Sequence, residues 1–263
     1  MNLKGAWTSV LILHLSLVFI EIVHGASASE CSLPSEHGHM TFPVEQLEAE
    51  SRCLLAGVID HPSASGVIGP DQTPISVELY SYLLDHPAVT AMLMQRMGMG
   101  SFRIMEKGPN RYWVDDGDGA EGLLSLVFRD ARTRIYYVDG QHRSTLFPTI
   151  RAKTAIFLRI IPERAAPGQS TVLTSVASYT RFEESMLSRL MHLFQPLVTR
   201  AVNRTIMKEF SMTHRLGILI VEQPQRILRE AAELSEITSD DRQALLTLLR
   251  AEVATSHPAA SPQ

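Results

Sequence analysis

Apolar and polar positions along this 263-residue chain change their spacing near Phe102 and again near Phe182. Between Phe102 and Thr180 the apolar residues fall in short runs rich in β-branched and aromatic side chains, at 104–107, 112–116, 123–129, 134–139, 154–161 and 171–180. Turn clusters separate them: Gly108-Pro109-Asn110, Gly117-Asp118-Gly119, Asp130-Ala131-Arg132 and Pro167-Gly168. Such runs predict strands. Connections this short cannot hold crossover helices, so the expected sheet is an antiparallel meander. Beyond Phe182, Leu187, Leu190, Phe194, Val198, Ala201, Ile206 and Phe210 share one side, while Glu184, Arg189, Gln195, Arg200, Asn203, Arg204 and Lys208 take the other. That pattern predicts one long helix with a buried face, reaching about Arg215, and kinked at Pro196.

The flanks read differently. Residues 29–50 are rich in Ser, His, Pro and Glu without a sustained period, which predicts a poorly ordered leader. The apolar run 52–59 fits an edge strand, and 62–74, with its Ser, Gly and Pro, fits a loop. Thr73-Pro74 has the form of an N-cap followed by proline, and Val77, Tyr80, Leu83 and Leu84 follow at helical spacing. Asp85-His86-Pro87 restarts a second helix, which Gly98 and Gly100 stop after Met97. Two more helices are expected at 224–234 and, capped by Ser239, at 240–253. A disordered tail is expected from Thr255.

Composition adds a compartment and removes a partner. With 45% hydrophobic and 20% charged residues the chain is of ordinary globular character, and a net charge of -4 gives no global attraction to nucleic acid. Lys4, the apolar stretch from Val10 to Ile20 and the small residues Ala26-Ser27-Ala28 have the layout of a secretory signal peptide. A membrane span needs about 20 apolar residues, whereas this stretch contains His14 and Ser16 and meets Glu21. The expected location is therefore secreted or periplasmic. There Cys31 and Cys53 would meet oxidising conditions and form a disulfide. Two free thiols, or a lipid-modified Cys31, remain as alternatives, although Glu30 suits a lipoprotein site poorly.

Candidate chemistry is sparse. Gly117-Asp118-Gly119-Ala120-Glu121-Gly122 matches the dinucleotide fingerprint in form, but the fingerprint needs a helix next and Leu123-Leu124-Ser125-Leu126-Val127-Phe128 is strand-like. A hairpin turn explains it better. Asp116 and Asp118 have calcium-loop spacing, yet position six, which must be glycine, is Glu121. Met92, Met94, Met97, Met99 and Met105, with His37 and His39, could hold copper, or the methionines could simply fill the core and line a cavity. Asp139, His142 and Arg143 are the best acid–base candidates, against a reading as surface polar residues at a turn. No nucleophile motif accompanies them, and no cofactor is expected.

The helical pair ending in Tyr82-Leu83-Leu84-Asp85-His86-Pro87, the hairpin Gly108-Pro109-Asn110-Arg111-Tyr112 and the closing helix with Pro196-Leu197-Val198, Arg200 and Arg204 resemble the START-like superfamily, also called SRPBCC or helix-grip. The resemblance implies an α+β fold in which a curved antiparallel sheet wraps a long C-terminal helix, here with extra C-terminal helices. The expected organisation is a signal peptide over 1–28, a leader and edge strand over 29–72, the START-like domain over 73–216, a helical extension over 217–254 and a tail over 255–263. It further implies an apolar molecule, a lipid or polyketide, held between sheet and helix. Strand alternation assigns Tyr112, Val114, Leu124, Leu126, Tyr137, Ile156 and Leu158 to that ligand-binding face, with Leu190, Phe194 and Val198 from the helix. The expected partners are a hydrophobic small molecule or lipid and, transiently, a membrane surface. A cyclase- or aromatase-like enzyme using Asp139 or His142, and a periplasmic copper binder, are the alternatives.

Overall fold

The short turns predicted at 108–110, 117–119 and 130–132 each lie where two paired strands meet. The computed structural model describes residues 31–143, 149–166, 169–183, 208 and 211–256, with side-chain detail lacking at 164–166 and 169. Two short strands, β1 (Glu36–His37) and β2 (Met40–Thr41), pair with each other, and helix α1 spans Ala49–Ile59. Strand β3 (Ala64–Thr73) precedes helices α2 (Val77–Asp85) and α3 (Pro87–Arg96). Then come β4 (Arg103–Gly108), β5 (Arg111–Asp115), β6 (Ala120–Arg129), β7 (Thr133–His142), β8 (Ile150–Ala166) and β9 (Gln169–Phe182). Residues 211–222 are helical and are called α4; α5 (Pro224–Ala232) and α6 (Ser239–Ser256) follow.

Seven strands make one sheet in the order β3-β9-β8-β7-β6-β5-β4, and every pair is antiparallel. Strands β4 to β9 form the expected meander. The chain reaches it from β3 at the opposite edge by way of α2 and α3. Turn chemistry fixes the hairpins. Asn110 takes a positive φ of 57° between β4 and β5. In the β5–β6 turn the Asp116 carboxylate accepts hydrogen bonds from the amides of Asp118 and Ala120, at 2.8 and 2.9 Å. The sequence Gly117 to Gly122 is thus a hairpin turn leading into a strand.

Facing residues in an antiparallel ladder share a side of the sheet. The register Tyr112↔Leu124↔Val138↔Thr154↔Thr180 therefore defines one face, and Trp113↔Leu123↔Asp139↔Lys153↔Arg181 the other. The first face is covered by helices: Leu158, Ile160, Val172 and Val176 pack with Leu79 and Leu83 of α2, Leu93 of α3, Leu216 and Ile220 of α4, Ile227 of α5 and Leu245 and Leu249 of α6. Helix α4 lies close against the end of β3, because a side chain at Gly217 would meet Thr73 Cγ2 at 2.2 Å. Beside it, Thr73 and His214 share a 3.1 Å hydrogen bond. Helix α6 is tied to α2 by the buried Glu252, whose carboxylate accepts from the Ser76 amide at 2.8 Å. A carboxylate at a helix N-terminus satisfies an orphan donor and complements the dipole.

The second, outer face is covered over part of its area by residues 31–59. Phe42, Val44, Leu47, Leu55, Ala56 and Val58 form a second core with Ile135, Tyr137, Ala155, Phe157 and Ala177. A disulfide joins Cys31 to Cys53 and fastens this layer to α1.

Several expectations are corrected. The run 52–59 belongs to helix α1, and the edge strand is instead β3, in the stretch expected to be a loop. The register of β3 against β9 shifts between Ile68 and Asp71, around Pro70. An edge strand accommodates proline and an irregularity there because its outer hydrogen bonds have no partner strand. The leader is ordered from residue 31 onward, since Leu33, Phe42, Val44 and Leu47 find an apolar sheet face to cover. Ser76, rather than Thr73, caps α2, accepting from the Leu79 amide. Helix α4 continues to 222, past the expected end near 215, and α6 extends through Thr255 to Ser256. The expected signal peptide, the kink at Pro196 and most of the long helix lie outside the described residues.

Candidate functional site

The inner face divides into two regions of different packing. On β8 and β9, Leu158, Ile160, Val172 and Val176 are fully packed. On β5, β6 and β7, Tyr112, Val114, Leu124, Leu126, Tyr136 and Val138 are only half-buried, as is Ile156 on β8. Gly122 and Gly140 face each other in the same region and contribute no side chain; a Cβ at Gly122 would meet the Gly140 Cα at 2.6 Å. These apolar residues keep accessible surface beside a closed core.

Tyr136 illustrates this. Burial raises its hydroxyl pKa well above the usual tyrosine value, while part of its surface stays accessible. Burial likewise raises Tyr112, with the charge of Glu106 acting the same way, and pushes Tyr80 up to about 12. Among the described residues neither Tyr136 nor Tyr112 spends its hydroxyl on a hydrogen bond. An ion pair stands next to them. Arg134, 3% exposed, donates to both Asp85 oxygens, from Nε at 2.8 Å and from Nη2 at 3.0 Å. It also donates from Nη1 to the Thr133 carbonyl at 2.9 Å and to that of Asp130. This fork joins the C-terminus of α2 to β7.

Of the residues assigned to a ligand face, Tyr112, Val114, Leu124, Leu126, Ile156 and Leu158 share the inner face. Tyr137 does not. Its register with Ser125 and Ala155 turns it outward, where it packs in the α1 layer, and Tyr136 holds the inward position. Adjacent tyrosines offered the pattern two phases, and sequence alternation could not choose between them. Leu190, Phe194 and Val198 lie outside the described residues. Asp139 and His142 point to opposite faces of β7, being three positions apart on a strand, so they do not form an acid–base pair. Arg143 is bonded to Glu121.

The methionines scatter as well. Met94 and Met97 are buried in the inner core, Met92 and Met99 pack against it, and Met105 is exposed on the outer face. Of the two histidines, His37 stacks on Phe157 at 3.8 Å in the outer core, whereas His39 is exposed. Among the described residues no three His, Cys, Asp or Glu groups converge as metal ligands, and no helix is long and apolar enough to cross a membrane.

His37 also makes the outer layer sensitive to pH. It is 1% exposed, its Nε2 has no partner among the described residues, and its Nδ1 lies 3.3 Å from the Tyr179 hydroxyl. Phe42, Phe157 and Tyr179 surround the ring, and Arg159 sits over Phe42. Burial depresses its pKa below 6.5, more than its backbone hydrogen bond with Pro34 raises it. The unfolded chain therefore binds the proton first as pH falls. Stability is full above 6.5 and declines from there toward the depressed folded value, by up to about 1.4 kcal/mol per pH unit. Urea unfolding between pH 7.5 and 5.5 should show this slope in the wild type and lose it in His37→Phe. An equal slope in both proteins would assign it elsewhere.

No family model matches the chain, and no curated protein matches it. Among solved structures it is similar to a conserved protein from Geobacillus kaustophilus, at 10% identity and a TM-score of 0.41, over 59% of this chain and 93% of that one. It is similar to Ara h 8.0201 at 16% identity and a TM-score of 0.35, over 59% and 99% of the two chains. Norcoclaurine synthase from Thalictrum flavum gives 12% identity and a TM-score of 0.36, over 59% and 87%. The antiparallel sheet with its first strand paired to its last, the helical pair inserted after that first strand and the helices on the inner face make this an α+β, helix-grip fold.

Proposed function

We infer that the protein binds an apolar small molecule, such as a lipid or polyketide, against the inner face of β5, β6 and β7, and acts as a carrier in an oxidising compartment outside the cytoplasm. The observation that carries this reading is the half-buried apolar wall of Tyr112, Val114, Leu124, Leu126 and Val138 beside a fully packed core. Binding sites for apolar ligands are largely preformed and lined in this way, with few polar groups. The Cys31–Cys53 disulfide supports the compartment, and it fits removal of residues 1–28 as a signal peptide. A transient contact with a membrane surface would serve loading and release.

Native mass spectrometry of the protein purified from its own host tests the reading. The expected result is a co-purifying apolar mass in the wild type that is lost in Leu126→Arg, with both proteins folded by circular dichroism. A uniformly empty wild-type protein, or a bound mass that Leu126→Arg retains, would overturn it.

A further inference from the structure

The α1 layer covers only part of the outer face. Beyond it the cross-strand row Met105↔Trp113↔Leu123 is open, with Met105 48% exposed and Trp113 and Leu123 half-buried. Next to this row is an open depression of about 340 Å³, lined by Trp113, Glu121, Leu123, Asp139, Gln141, Arg151 and Glu183 and by the backbone at Gly122 and Gly140. We propose that this depression is a second binding site, for a neutral hydroxylated ring compound of the disaccharide class. Trp113 would supply the stacking surface, and Asp139 and Arg151 the hydrogen bonds.

The polar groups here fall into two sets. Glu121 accepts from Gln141 at 2.7 Å and pairs with Arg143 at 2.5 Å, so these three side chains satisfy one another. Among the described residues the Asp139 carboxylate, the Arg151 guanidinium and the Trp113 indole N–H have no hydrogen-bond or ion-pair partner. They leave an acceptor, a planar donor fork and a single donor around one flat aromatic surface. A planar carboxylate or guanidinium can engage two neighbouring hydroxyls at once, as it engages other two-point partners. The aromatic ring offers its apolar face to the C–H face of a saturated ring.

Charge and size narrow the class. Of the lining carboxylates, Glu121 is paired with Arg143, while Asp139 and Glu183 are balanced by Arg151 in the lining and by Lys153 beside it, opposite Asp139 in the ladder. A site with no net charge selects neither an anion nor a cation, and favours a neutral molecule carrying both donors and acceptors. The volume is at the low end for small-molecule sites, about 300–1,000 Å³. From β5, which carries Trp113, to β8, which carries Arg151, there are three strand spacings, about 14 Å. That length suits two linked rings better than one.

The chain contains two tryptophans, and Trp7 lies within residues 1–28, so Trp7→Phe, or removal of that segment, leaves Trp113 as the sole tryptophan. In that background, titration with maltose, cellobiose, lactose and chitobiose should give a saturable change in emission with at least one of them. An open site of this kind is expected to bind with a Kd of about 1–10 mM. Asp139→Asn and Arg151→Gln, both exposed positions, should each weaken the response about tenfold or more, with an unchanged melting temperature. Saturation-transfer NMR with the same sugar should show the same losses, and should lose the signal in Trp113→Ala. No response to any of the four sugars at about 50 mM would overturn the site, as would one that both polar variants retain. A response to phosphatidylglycerol vesicles but to no sugar would also overturn it, in favour of a membrane-facing surface. None of these outcomes depends on whether an apolar mass co-purifies on the inner face.

Discussion

Replacing Asp85 by alanine is expected to cost about 3 kcal/mol or more of folding stability. Arg134 is 3% exposed and brings a guanidinium charge into the fold. Asp85 is the carboxylate that meets it in a two-point fork, and Arg129, 3.6 Å from the same group, is half-exposed and can turn to water. Without Asp85 the guanidinium keeps, among the described residues, the carbonyls of Thr133 and Asp130. Two dipoles do not replace a charge at that depth. Urea denaturation measures the loss, and a double variant, Asp85→Ala with Arg134→Met, checks its cause. Removing both charges should recover much of the stability, because an apolar pair avoids the desolvation that the ion pair has to overcome. If Asp85→Ala costs less than about 1 kcal/mol, Arg134 is solvated by a route that burial does not reveal.

Opening the disulfide has the second large effect. The bridge closes a loop across 22 positions, and in the chain-entropy model its removal destabilises by about 3 kcal/mol. The consequence extends beyond that local entropy. Cys31 anchors one end of the layer that covers Ile135, Tyr137, Ala155, Phe157 and Ala177. The remaining attachment includes the apolar contact of Phe42, Val44, Leu47 and α1, the His37 ring against Phe157 and Tyr179, and hydrogen bonds from Arg159 to the Thr41 carbonyl and from Arg181 to the Gly57 carbonyl. A Cys31→Ser, Cys53→Ser protein should therefore be cut by protease within 31–60 before the sheet unfolds, and should bind more of an apolar dye than the wild type does. Limited proteolysis with mass mapping reads the first, and dye fluorescence the second. Cleavage that begins equally in β4 to β9 would show that the layer and the sheet unfold as one unit.

Much of the meander was legible because turn chemistry is local. Gly108-Pro109-Asn110 and Gly117-Asp118-Gly119 mark their hairpins whatever surrounds them, and Asp116 satisfies its own turn amides. The helical pair was legible for a related reason: Val77, Tyr80, Leu83 and Leu84 keep a 3.6 period, and Pro87 restarts the helix after His86. The run 52–59 was not. It is a short, nearly continuous apolar run, in which periodicity cannot separate strand from helix, and what selects α1 is the sheet face that Leu55, Ala56 and Val58 cover. Strand β3 was hidden by Ser65, Gly66, Gly69 and Pro70, a composition that only an edge strand paired to β9 explains.

The candidate site followed the same division. Its strands and most of its inward residues could be read from alternation, because side chains on a strand change sides at every position. Its phase could not be read where two aromatic residues are adjacent, and Tyr136 rather than Tyr137 proved to be inward. The sequence by itself determined which segments form the meander and helices α2, α3, α5 and α6, which two cysteines were available to pair, and that Gly117 to Gly122 leads into a strand. Tertiary structure decided that residues 31–59 cover the outer face, that Arg134 and Asp85 meet across 49 positions, and that Asp139 and His142 are parted by the sheet. The reason is physical: local patterns encode backbone conformation, whereas burial and pairing depend on which distant surface each face meets.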